Sequence, residues 1–163
     1  MDKMNSKMEK AIGKIQKSKR KNRLISTQIV DIMWPSFVEI EECVLFRSTE
    51  EEAESLNLEF VLKSFGDRSG FEAFSNHIHA IDITDDFVKH PSEGLKFMLK
   101  LMEVWECKLR RDFPHYKFFL TLSHGGKDSI LRFHRLRDNE PSWIDIDKLE
   151  DLKKESIFVK IVE

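Results

Sequence analysis

The residue types with the most chemical potential stand at His77-x-His79 and Asp82, with Asp85, Asp86 and His90 close behind. Imidazole and carboxylate are ligands that zinc or non-haem iron accepts, which makes His77, His79 and Asp82 the weak metal candidates of the chain. Spacing decides whether they can cooperate. On a strand, residues i and i+2 share a face, whereas on a helix they diverge by about 200° and cannot hold one ion. His115, His124 and His134 fall near Asp128 and Asp138 in sequence, a set for acid–base chemistry if the fold brings any of them together. Cys43 and Cys107 fall in an expected strand and an expected helix, and read as small buried hydrophobes rather than thiolate nucleophiles.

A second group lies in RFHRLRDNEPSWID at 132–145. Arg and Trp are favoured as binding anchors, so Arg132, His134, Arg135 and Trp143 join Asn76, His77 and His79 as candidate binding residues. The simpler alternative is an exposed sheet face balanced by Glu140, Asp145 and Asp147. The string SHGGKDS at 123–129 is similar to the Ser-Gly-Gly-x-Asp-Ser loop of the ATP pyrophosphatase family, which would imply a phosphate cradle. His124 interrupts that pattern, and a Gly-Gly-Lys-Asp stretch between two β-patterned runs is most simply a hairpin turn. No cofactor is expected from any of these motifs.

Composition narrows the classes. The chain has 163 residues, four prolines, six glycines and a 34% charged fraction, which excludes collagen-like and low-complexity architectures. No apolar run approaches the roughly 18 residues of a membrane span, and residues 1–20 lack the apolar core of a signal peptide, so a cytosolic location is expected. Charge is divided along the chain: residues 1–23 carry +7, and residues 24–163 carry −9. The acidic body should repel nucleic acid and attract a basic protein. The basic segment, residues 1–23, is the one feature suited to nucleic acid or an anionic membrane surface.

Elements able to position these residues follow from periodicity. Met4, Met8, Ala11, Ile12 and Ile15 share one helical face at about 100° per residue, which predicts a basic N-terminal helical arm. A helix from Leu24 stops before Pro35, because Trp34 is pushed out of the α region. FVEIEECVLF at 37–46 reads as a hairpin, although neither Gly nor Asn marks its turn. A capping box near Ser48 starts a short helix to about Leu56; 58–65 reads as a strand, and the Phe71, Phe74, Ile78, Ile81 spacing favours a helix running into Asp82, with a strand over His77–Ile83 as the alternative. The clearest element is a long apolar-faced helix over about 92–111. Strands over 116–123 and 130–136 form a second hairpin, Asp147 caps a short helix, and 157–162 closes as a strand. The fold class expected is α+β, an antiparallel sheet of about five to six strands packed on the 92–111 helix. The domains expected are a basic arm, 1–23, and a single body, 24–163.

NHIHAID at 76–82, KLRRDFP at 108–114 and RFHRLRDNEPSWID at 132–145 resemble a group of small uncharacterised bacterial proteins that share Asn-His-x-His, Phe-Pro after a long helix, and Phe-His-Arg followed by Trp-x-Asp. The resemblance implies a bacterial source and no particular activity. The function expected is therefore a small non-catalytic interaction protein, with a toxin-neutralising immunity protein bound to a basic toxin domain as its concrete form. The alternative is a metal-dependent or hydrolytic enzyme built on His77, His79 and Asp82.

Overall fold

The computed structural model describes residues 2–16, 28–46, 57–152 and 154–163. Its elements run β1 (Asp2–Met4), α1 (Ser6–Gln16), α2 (Gln28–Met33), β2 (Phe37–Ile40), β3 (Cys43–Phe46), α3 (Leu58–Phe65), α4 (Arg68–Ser75), β4 (His77–His79), α5 (Ala80–Ile83) and α6 (Asp85–Lys89). Then follow α7 (Pro91–Asp112), β5 (Phe118–His124), β6 (Ser129–Arg135), a 3-10 turn (Ile146–Asp151) and β7 (Ser156–Val162). Five strands form one antiparallel sheet in the order β1-β7-β5-β6-β4, and β2-β3 is a separate hairpin. This is the expected α+β class, with the sheet packed on α7.

Alternation along β5 and β6 sorts their side chains to two faces. One face carries Phe118, Leu120, Leu122, Leu131 and Phe133 into the main core, against Leu95, Met98, Leu101, Met102 and Trp105 of α7. Phe133 is its aromatic centre, with ring centroids 5.2 Å from Phe37, 5.4 Å from Phe46 and 6.0 Å from Trp105. The opposite face carries Phe119, Ile157 and Val159, covered by Leu149 and its neighbours in the 3-10 turn. Ser6–Gln16 is helical as the periodicity predicts, and it docks on the body: β1 before it pairs with β7, and Met8 is fully buried in the core.

Several elements depart from expectation for local reasons. Residues 58–65 form a helix, not a strand: the Asn57 side chain accepts from Phe60 N at 3.0 Å, and Leu58, Val61 and Phe65 turn inward at helical spacing. The helix expected through Ile78 to Asp82 ends at Ser75. Asn76 leaves it because its backbone carbonyl accepts from Phe133 N at 3.1 Å, which lays His77–His79 alongside β6 as a strand. Cys43 is buried, but Cys107 faces outward from α7. Asp145 rather than Asp147 caps the 3-10 turn, accepting from Asp147 N at 3.0 Å. The helix expected near 48–56 lies outside the described residues, as do residues 24–27 of the one stopped by Pro35.

The β2-β3 hairpin forms with a two-residue turn at Glu41 and Glu42, whose φ values are +50° and +65°. That geometry suits Gly and Asn, and costs other residues about 1 kcal/mol or more each. Glu42→Gly should therefore raise the unfolding free energy by about 1 kcal/mol in urea titrations. Phe133→Ala should lower it by about 3–5 kcal/mol, because four aromatic neighbours cannot close around the cavity.

Candidate functional site

The positioning framework is polar and buried. Glu72 of α4 is wholly inaccessible and takes four hydrogen bonds: from Val44 N at 2.6 Å, Arg135 N at 2.8 Å, and the Arg137 guanidinium at 2.9 and 3.0 Å. One turn later, buried Asn76 donates to Val44 O at 2.7 Å and accepts from Phe46 N at 3.1 Å. The i, i+4 pair thus satisfies the free edge of β3. Arg137 also donates to Glu42 O at 2.7 Å, and Glu140 accepts from Ser69 N and Oγ at 2.7 Å each. Burial pushes the Glu72 carboxyl above its usual range, while Arg137 and the two amides draw it back. Burial likewise works against the Arg137 charge, and Glu72 outweighs it, so the guanidinium is held above its ordinary value. Beside this pair, burial and Glu72 push the Cys43 thiol up to about 12, which leaves it inert.

On this framework, β4 and β6 present one polar face. His77 and His79 point the same way, on the side opposite core-packed Ile78, and His77 stands in register with Arg132. Their rings are 5.2 Å apart. His79 Nδ1 donates to Asp128 Oδ2 at 2.6 Å, and His77 Nδ1 donates to Phe74 O. In the neutral rings those bonds leave each Nε2 as the unprotonated nitrogen, the state of a general base or a metal ligand. The Arg132 guanidinium stacks on Trp143 at 5.2 Å and donates to Ala73 O at 3.4 Å. Burial lowers its proton affinity, and among the described residues no carboxylate lies within ion-pair distance of it. Across from Arg132, the buried Thr121 hydroxyl has no hydrogen-bond partner among the described residues.

The sequence candidates divide accordingly. His77, His79, Arg132 and Trp143 share the face. Asn76 is fully buried and pins the hairpin, and Arg135 lies on the other side of β6, stacked on Tyr116 at 3.5 Å. His134 is buried at 1% exposure; its Nδ1 donates to Arg135 O at 2.9 Å, and its Nε2 accepts from Trp143 N at 3.2 Å, so it holds the Trp143 loop. The carboxylate that meets His79 is Asp128, not Asp82, and no group of three His, Cys, Asp or Glu side chains among the described residues is arranged to hold a metal ion. Asp128 also accepts from Ile81 N and Ser129 N, which ties the 125–128 turn to the start of α5. Sequence reading missed Glu72, its pairing with Arg137, and the His79–Asp128 pair. The Glu72/Asn76 spacing on one helix was the available signal.

A model of the family described as the Uncharacterized protein PM0498 family matches residues 3–163. The chain belongs to that family. It is 25% identical over 145 residues to Uncharacterized protein PM0498 of Pasteurella multocida (strain Pm70), covering 84% of this chain and 85% of that protein. No solved structure matches it. No helix among the described residues of this family member is long and apolar enough to cross a membrane.

Burial pushes the His134 imidazole down from its ordinary 6.5 to about 4. A depressed imidazole binds its proton in the unfolded chain first, so stability rises with pH across this window; it is complete above about pH 6.5 and falls by about 3 kcal/mol as pH drops toward 4. Urea midpoints measured across that range should show the fall, and His134→Gln should flatten it. Arg137→Met leaves Glu72 buried without its counter-charge and should cost about 3–5 kcal/mol; adding Glu72→Met removes the uncompensated charge but strips the Val44 and Arg135 amides of their acceptor, so the double variant should stay well below the intact chain in urea titrations.

Proposed function

We propose that this family member is a non-catalytic interaction protein whose recognition face is formed by His77, His79, Arg132 and Trp143. The observation that carries this reading is Arg132. A partly buried guanidinium stacked on a Trp that is 44% exposed, held by a 3.4 Å bond to Ala73 O and the charge of Glu155 but by no ion pair among the described residues, has donors to offer a partner. Arg and Trp dominate binding hot spots because they combine large contact area with directional donors. The charge of −9 over residues 24–163 adds attraction toward a basic protein surface and supports the narrower form, an immunity protein that neutralises a basic toxin domain.

The test compares affinity capture by the intact chain with capture by Arg132→Ala and Trp143→Ala, in host lysate treated with nuclease. One stoichiometric basic protein should be retained by the intact chain and weakened at least about 10-fold in each variant, which is the loss expected of a hot-spot residue. Equal retention by all three forms would contradict the assignment of this face.

The 2.6 Å His79–Asp128 contact favours one second reading, hydrolysis with His79 as general base oriented by Asp128. It predicts turnover of model esters or phosphoesters that falls at least about 100-fold in His79→Ala; turnover unaffected by that change removes it.

A further inference from the structure

The polar face leaves unexplained a second feature on the far side of β5-β6, where the basic segment meets the glycine turn. Lys7, Lys10 and Lys14 recur at i, i+3 and i+7 along α1 and line one cleft with Lys154, the Gly125-Gly126 turn and Ser92. The cleft encloses about 400 Å³, at the lower end of small-molecule sites. No carboxylate is among its described lining residues, and among the described residues none of the four lysine side chains forms an ion pair or hydrogen bond. Four exposed lysines along one cleft make it locally electropositive, and a bound anion would lower their mutual repulsion.

Three further features suit a phosphate ligand. A Cβ placed on Gly125 or Gly126 would meet nothing within 4 Å, so the backbone of the turn can be approached closely. Ser92 lies in the first turn of the 22-residue α7, at the positive end of that helix. The hydroxyl of Ser92 adds a donor that ammonium groups alone do not supply. The net charge of −9 over residues 24–163 opposes a long polyanion more than a compact one.

We infer that this cleft binds a small, multiply phosphorylated ligand, held by Lys7, Lys10, Lys14 and Lys154 against the Gly125-Gly126 turn. The site is independent of the Arg132–Trp143 face, and its success or failure leaves the reading of that face untouched.

Titration of the full chain with inorganic tripolyphosphate by calorimetry tests it. Saturable binding is expected at about 10–100 µM in low salt, weakening as ionic strength rises. Lys10→Glu with Lys14→Glu, both exposed, should weaken binding at least about 10-fold and leave the melting temperature unchanged. Lys63→Glu with Lys117→Glu makes the same change in net charge away from the cleft and should leave binding within about two-fold. The inference is overturned by absence of saturable binding up to about 1 mM, or by equal loss in both double variants. Tighter binding of a single-stranded oligonucleotide or of phosphatidylserine vesicles than of tripolyphosphate would overturn it too.

Discussion

A single buried carboxylate ties together three parts of this fold that share no backbone ladder. Glu72 reaches from α4 to Val44 in the β2-β3 hairpin, to Arg135 at the end of β6, and to Arg137 beyond it. A charge in that position is tolerated because every lone pair is met, two by backbone amides and two by a guanidinium fork. The same geometry makes it unforgiving, since loss of any one donor leaves a desolvated oxygen. The small hairpin has no strand neighbour in the main sheet, and without Glu72 and Asn76 the edge of β3 would present unpaired polar groups to a core of Phe46, Trp105 and Phe133.

This constraint reaches the polar face. Asn76 is both the last anchor of the hairpin and the residue at which the chain turns from α4 into β4, so the contact that holds Phe46 also sets the register of His77 and His79 against Arg132 and Ile130. Asp128 fixes the far end of β4 through His79 and Ile81, and His134 fixes Trp143 over Arg132. The face is rigid because its supports are internal: one buried imidazole, one buried amide and one turn carboxylate. Side chains held in this way lose little entropy on meeting a ligand, a property that supports the proposed role of the face.

Much of the architecture was legible in the chain. The apolar stripe of α7, the alternation in β5, β6 and β7, and the hairpin about Glu41-Glu42 all follow from period alone. Where both periods fit, as in LEFVLKSF, the cap decided: Asn57 at one end and Gly66 at the other mark a helix that apolar counting alone reads as a strand. At His77–His79 strand and helix were both open, and the helix was preferred for a different reason. Its helical spacing continues from α4, and only the long-range bond from Phe133 N to Asn76 O breaks the helix there. The site was partly legible: Arg and Trp types pointed to Arg132 and Trp143, and the choice between helix and strand decided whether His77 and His79 share a face. The role of Glu72 was not legible, because an acidic residue on an amphipathic helix looks solvated until the partner strand is in place, and Asp128 stood out only as a neighbour of His124, not as the partner of His79.

Glu72 joins hairpin, helix and sheet into one cooperative unit that fixes the polar face of β4 and β6. Native-state hydrogen exchange tests it most directly, read at the amides of Val44, Phe46, Phe133 and Arg135. The account predicts that the Val44 and Phe46 amides open only with global unfolding, at the same free energy as Phe133, and that in Glu72→Gln all four exchange together at a reduced common value. Exchange of Val44 and Phe46 by a separate, low-energy opening, with Phe133 and Arg135 still fully protected, would show that the hairpin is an independent flap and contradict it.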